Sequence, residues 1–316
     1  MSANRKSILV VGSINMDLVM QVERVPKAGE TLLGEHYSYV PGGKGANQAV
    51  AAARLGLSVR FVGRVGDDSL GPQLKNNLVR EGIDTGFLQI DPEEQTGFAA
   101  ITVEASGQNR ISVFPGANMA LRGEDIGRAF DRSYAAVVIN LEIPEAIVFE
   151  VCRQAQSRDT PIVLDAGPIR RVDFHALSGL EIISPNESEA EAITGIACAS
   201  LETAERAARR LVEITPSRYA VLKLGERGAL LYDPAADRVE HFPGIPVKAL
   251  DSTAAGDAFT AALTARFLHD GDIAAAIRFA NVVAALSVTR LGAQPSMPTL
   301  QEVETFARER GVDIAV

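Results

Sequence analysis

Short apolar runs alternate with helix-length segments along most of this chain, and that rhythm restricts the fold more than any other feature. Ile8-Leu9-Val10-Val11-Gly12, Val59–Val62, Ala136–Leu141, Ile162–Asp165, Glu181–Ser184 and Tyr219–Leu224 read as strands. Runs this apolar suit strands buried on both faces. Between them, 45–55, Leu70–Arg80, Pro144–Gln156, Glu187–Thr194 and Thr203–Glu213 read as helices, the first two stopped by Gly56 and Gly82. From Ala254 onward the chain turns helical, through Ala258–Ala265, Ile273–Leu286 and Leu300–Arg310. Strands alternating with helices predict an α/β domain, its mainly parallel sheet covered on both sides.

Two segments break the rhythm. Residues 17–40 hold Pro26, Gly29 and Gly34 with little helical pattern, while 96–103 and 110–114 flank Ala105-Ser106-Gly107-Gln108 as a hairpin. Together they predict a small antiparallel sheet projecting from the main domain. A net charge of −9 argues against a nucleic-acid surface, where clustered Lys and Arg must neutralise phosphates. Cys152 and Cys198 have neither metal-ligand spacing nor a disulfide framework, no apolar run reaches membrane-spanning length, and 1–6 lack a signal-peptide core. These features predict a soluble cytoplasmic protein with no nucleic-acid or membrane partner.

The chemistry concentrates at a few turns. Asp251-Ser252-Thr253-Ala254-Ala255-Gly256-Asp257 sets two carboxylates around a small-residue turn at the start of a helix. Backbone N–H groups at such a start, with the helix dipole, suit a phosphate or a developing anion. Asp257 could accept a proton there, or could simply complement the dipole. Asn15 and Asp17 follow the first strand and offer an amide and a carboxylate suited to a polyhydroxylated ligand, or an Asx turn. Pro41-Gly42-Gly43-Lys44-Gly45-Ala46-Asn47-Gln48 fails as a Walker A loop, because Gly45 stands where Ser or Thr is required and the Gly-x4 spacing is missing. Lys44 and Asn47 could still be carried into a pocket. Asn186 and Glu189 have capping-box spacing, and the same carboxylate could hold a water or Mg²⁺ near phosphates. Leu222-Lys223-Leu224-Gly225-Glu226-Arg227-Gly228 joins two strands, and its glycines permit close approach of a ligand. Arg290–Ser296 is an irregular loop whose carbonyls, with Ser296 and Asp251, could wrap a monovalent cation.

In order and spacing these pieces resemble the PfkB carbohydrate kinases, from about Ile8 to about Arg308. The N-terminal signature appears as Gly42–Gly56 and the C-terminal one as Asp251–Phe259. Asn15-Met16-Asp17, Pro185-Asn186-Glu187 and Gly292–Ser296 resemble the members that phosphorylate ribose. The resemblance implies a three-layer α/β fold over a single domain, 1–316, with a small β-sheet lid formed by about 15–41 and 95–116. It implies ATP-dependent phosphorylation of a sugar, D-ribose first, on the C5 hydroxyl. Asp257 would be the base, with amides of Ala254, Ala255 and Gly256 as the anion hole. Asn15, Met16, Asp17, Gly43, Lys44, Gly45, Ala46, Asn47 and Glu142 would form the sugar site. Asn186, Lys223, Leu224, Gly225, Glu226, Arg227, Gly228, Gly256 and Asn281 would line the ATP site. Glu189 would lie near Mg²⁺ through water. Asp251, Thr253, Ser287, Arg290, Gly292 and Ser296 would hold an activating K⁺, and the lid would pair two subunits.

Ser252, Ala254 and Lys223 depart from the commoner family pattern, which has Thr, Gly and a hydroxyl residue there. Lys223 is left open between ATP phosphates and solvent. The rival readings are a kinase for 2-deoxyribose, another pentose or a nucleoside, and, more remotely, a non-catalytic sugar or nucleotide sensor.

Overall fold

The computed structural model describes residues 5–106, 108–170 and 172–314. Strands β1 (Ser7–Val11), β4 (Ser58–Gly66), β5 (Asp84–Asp91), β8 (Ala136–Asn140), β9 (Ile162–Asp165), β10 (Leu180–Ile183), β11 (Ser217–Lys223), β12 (Ala229–Asp233) and β13 (Arg238–Phe242) form one sheet. Its order is β13-β12-β11-β10-β9-β8-β1-β4-β5, parallel from β11 to β5. The β11-β12-β13 edge is antiparallel.

The period-2 alternation of the strands builds three layers. Ile8 and Val10 of β1 pack into one apolar cluster, while Leu9 and Val11 pack into the other. The first cluster takes α1 (Lys44–Arg54), α2 (Leu70–Arg80), α7 (Ala255–Asp270), α8 (Ile273–Ser287) and α9 (Leu300–Glu309). The second takes α3 (Gly123–Ala129), α4 (Glu145–Gln156), α5 (Glu187–Thr194) and α6 (Leu201–Ile214). Each large aliphatic side chain so enclosed contributes about 1.5–3 kcal/mol. Helix α7 is apolar nearly all round because α1 and α8 cover it, which brings its first turn into the interior. The glycine stops lie as read: Gly56 and Gly82 follow α1 and α2 with φ of 97° and 74°.

The smaller sheet is β3 (His36–Gly42), β2 (Asn15–Val22), β6 (Gly97–Glu104) and β7 (Asn109–Phe114), in that order. Its outer pairs are antiparallel, but the central pair β2–β6 is parallel, with Asn15 opposite Gly97, which corrects the all-antiparallel expectation. The chain between β2 and β6 passes through β3, α1, β4, α2 and β5, long enough for the crossover that parallel pairing needs. The hairpin glycine Gly107 lies outside the described residues. Strands β5 and β13 and helix α3 also went unread, being edge or short elements of mixed polar sequence. Among the described residues, no helix is long and apolar enough to cross a membrane.

Candidate active site

The parallel strands β1, β8, β9 and β11 end on the same side of the sheet, and the segments after them converge on the start of α7. The start of α1 is pressed onto the end of β1. A Cβ on Gly45 would come within 2.7 Å of the Gly12 backbone, so only paired glycines allow this approach. The Ala46 N–H donates to the Ser13 carbonyl at 2.9 Å. Ser13 in turn donates its hydroxyl to Glu142, which also accepts the Lys44 N–H at 3.2 Å.

Asp257 is buried at the first turn of α7. One carboxylate oxygen accepts from Asn47 Nδ2 at 2.9 Å; the other faces Gln48 Nε2 at 3.4 Å and Lys44 Nζ at 3.6 Å. Burial raises its pKa from 3.8 to about 6; Lys44 and the Asn47 hydrogen bond oppose this, while Asp165 and Glu142 reinforce it. A carboxylate poised there can take a proton near neutral pH.

Asp17 lies on the same side, buried against Gly42, where a Cβ would strike its carboxylate at 2.1 Å. Burial, then the charges of Glu142 and Asp257, raise its pKa to about 7. Asn15 accepts from Asn118 Nδ2 at 2.7 Å, and Asn118 Oδ1 receives the Ile14 N–H at 2.9 Å. Asp17, Lys44, Asn47, Glu142 and Asp257 thus form one polar cluster, with Asn15 two positions before Asp17 on β2. Met16 and Ala46 instead pack into the apolar core, and Gly43 and Gly45 supply backbone.

On the other side of α7's start lies a cavity of about 870 Å³, lined by Lys223, Gly225, Glu226, Arg227, Gly228, Gly256 and Asn281. Asn281 Nδ2 donates to the Phe242 and Pro243 carbonyls at 3.2 and 3.3 Å. Leu224 is buried beneath this wall, and Asn186 is not among its lining residues. Asn186 and Glu189 make the reciprocal capping box, at 2.8 Å in each direction. Lys223 points inward, its Nζ 3.0 Å from Asp165, which decides against the solvent.

Ala254 has φ 59°, a left-handed conformation that favours glycine, and the Ala255 N–H is engaged by the Ser252 carbonyl at 3.2 Å. The N–H groups of Gly256 and Asp257 stand in the first turn, where a helix supplies no acceptor of its own. Asp251 ties the neighbouring loops together, accepting from Thr253 N at 2.9 Å and Gly292 N at 2.8 Å. Buried Ser287 and Ser296 bond to the Ala284 and Ala293 carbonyls, and Arg290 turns to Glu302 at 2.8 Å.

Sequence reading missed Ser13, Gln48, Asn118, Asp165 and Thr260, and the apolar cavity wall that includes Ile245, Val247, Phe259 and Val288. Three of these left a signal. Asp165 ends an apolar strand, Gln48 lies one helical turn after Lys44, and Thr260 one turn after Asp257. Asn118 left none, because its short 3-10 turn is placed only by tertiary packing.

The profile of the pfkB family of carbohydrate kinases matches residues 5–300. A Bacillus subtilis ribokinase is 40% identical over 301 residues, covering 95% of this chain and 98% of the relative. A Salmonella typhi deoxyribokinase is 34% identical, covering 95% and 98%. The structure of Arabidopsis thaliana ribokinase complexed with ribose and ATP superposes with a TM-score of 0.87 at 30% identity, covering 96% of this chain and 98% of that one. The chain belongs to the pfkB family of carbohydrate kinases.

Proposed function

With that membership as premise, we propose that this enzyme transfers the terminal phosphoryl group of ATP to the C5 hydroxyl of D-ribose, giving ribose 5-phosphate and ADP. One observation carries the reading: buried Asp257 accepts from Asn47 and faces Lys44, while the adjoining Gly256, in the same first turn of α7, lines the large cavity. Sugar hydroxyls would meet Asn15, Asp17, Lys44, Asn47 and Glu142, a mixture of donors and acceptors suited to groups that both donate and accept. Asp257 takes the hydroxyl proton as the oxygen attacks, and the N–H groups of Gly256 and Asp257 steady the charge on the phosphoryl group. Closure of the lid over the polar cluster would exclude water and limit wasteful hydrolysis of ATP.

Glu189 fits a water-mediated contact to Mg²⁺, since only one of its oxygens is taken by the cap; Mg²⁺ would supply charge neutralisation on the phosphates. The oxygen-rich junction of Asp251, Thr253, Ser287, Gly292 and Ser296 fits K⁺, and Asp251 already joins the two loops involved. Arg290 would contribute its carbonyl, its guanidinium being held by Glu302. Exposed Tyr37, Tyr39, Ile111 and Val113 on the edge strands β3 and β7 support pairing of two subunits through the lid. The two free, buried cysteines fit a reducing cytoplasm.

The deciding experiment is ADP formation with ribose, 2-deoxyribose, fructose and adenosine, with and without K⁺. Ribose-dependent turnover, raised by K⁺, is the expected result. Faster turnover of 2-deoxyribose at equal concentration would replace ribose and keep the kinase. No turnover of any sugar would leave the sensor reading.

A further inference from the structure

The carboxylate of Asp165 lies fully buried at the end of β9, in contact with lysines from both sides of the site. Lys223 Nζ, from the cavity wall, is 3.0 Å from one oxygen, and Lys44 Nζ, from the sugar side, is 3.6 Å from the other. Gln48 Nε2 at 3.1 Å and Thr260 Oγ1 at 3.0 Å donate to the same oxygen as Lys223, fixing the carboxylate from α1 and α7. The other oxygen is buried and accepts no hydrogen bond among the described residues.

We propose that Asp165 is a positioning residue that holds two lysines at the point of phosphoryl transfer. Lys223 then contacts the terminal phosphate of ATP directly. The inference deepens the kinase reading and rests on it.

Lys223 has the geometry for this role. Its Nζ is 3.6 Å from where a Cβ on Gly256 would stand, so the ammonium flanks the same helix start that would receive the phosphoryl group. It lines the nucleotide cavity, and Asp165 is its one hydrogen-bond acceptor among the described residues, leaving two of three N–H donors for a phosphate. Its backbone is pinned by its own N–H donating to the Pro185 carbonyl at 2.9 Å, so the side chain enters from a fixed root.

Lys44 is shared between Asp165 and Asp257, at 3.6 Å from each. The charged groups facing Asp257 are therefore Lys44 from α1, Asp165 from β9, Glu142 after β8 and Asp17 from β2. Neutralising Asp165 removes a repulsion from Asp257 and leaves Lys44 to it alone. Both changes favour ionised Asp257 and make it a weaker base.

The test compares the wild type with Lys223→Met and Asp165→Asn, measuring ATP and ADP affinity by calorimetry with Mg²⁺ and turnover against pH. Lys223→Met should weaken ATP about tenfold or more and leave ADP and the sugar KM within about twofold. Its kcat should fall about a hundredfold, the scale for losing one donor to a transferring group. If it does not accumulate folded, Lys223→Gln keeps a donor for Asp165 and removes the charge, with the same outcomes expected. Asp165→Asn should lower kcat about tenfold, weaken ATP less than Lys223→Met does while leaving ADP within about twofold, and move the acid limb of the pH profile below that of the wild type.

Equal weakening of ATP and ADP, or a kcat within about threefold of wild type, would overturn the role of Lys223. An unmoved acid limb, or an undiminished kcat, would overturn that of Asp165. A wild type that phosphorylates no sugar would sink the kinase reading instead, while the difference between ATP and ADP would still decide whether Lys223 meets the terminal phosphate.

Discussion

Replacing Asp17 with Asn should make the ligand-free protein more stable above neutral pH while weakening its hold on the sugar. The Asp17 carboxylate is buried and accepts no hydrogen bond among the described residues; its pKa rises from 3.8 to about 7. Below about 4, folded and unfolded chains both hold the proton and the site costs nothing. Between about 4 and about 7 the folded chain binds more protons than the unfolded one, so stability falls as pH rises. Above about 7 the full cost stands, about 4 kcal/mol at about 1.4 kcal/mol for each pH unit. Asn does not titrate and escapes it. With an unfolding entropy of about 2.1 cal/mol/K per residue, a chain of this length gains about 6 °C in Tm at pH 8, and only about 2 °C near pH 5. The same change should weaken ribose about tenfold to a hundredfold, because a hydrogen bond to a charged acceptor contributes about 1.5–3 kcal/mol. Thermal unfolding from pH 5 to 8, beside ribose titration at pH 8, measures both. A variant no more stable than wild type at pH 8, or a gain that does not grow with pH, would refute the claim that burying this charge costs stability.

Other consequences are quicker to check. Asp257→Asn should keep sugar binding and lose about a hundredfold to ten-thousandfold in turnover, the usual range for a general base; retained turnover would remove it from that role. In the wild type, kcat/KM should rise with pH through about 6 as Asp257 ionises, and a flat profile between pH 5 and 7 would count against the assignment. Ala254→Gly relieves a left-handed alanine at φ 59°, so thermal unfolding should show unchanged or slightly raised stability, within about 1 kcal/mol. Asn118→Ala should raise the sugar KM about tenfold with little change in kcat, because it frees the amide of Asn15; an unchanged KM would make Asn118 a loop anchor only.

Much of the molecule was legible in one dimension. The runs at Ile8–Val11, Ala136–Asn140 and Ile162–Asp165 are apolar on both faces, and only a sheet covered on both sides accommodates them. Turns of small residues at 12–17, 42–47 and 251–257 fall at strand ends and a helix start, so Asn15, Asp17, Lys44, Asn47 and Asp257 stood out by local pattern. What the pattern could not carry was pairing between distant segments. The parallel β2–β6 register depends on a crossover, and each strand's alternation is the same for either direction. The capping box of Asn186 and Glu189 was legible in its spacing, whereas Met16 lies in a motif yet fills the core, because side-chain direction is settled by packing. Asp165 shows the division most plainly. Its type and strand-end position are written in the chain, but its meeting with Lys44 and Lys223, 121 positions before it and 58 after, exists only once the sheet brings β9 and β11 beside α1. Burial then gives those charges their strength, and burial belongs to the whole fold.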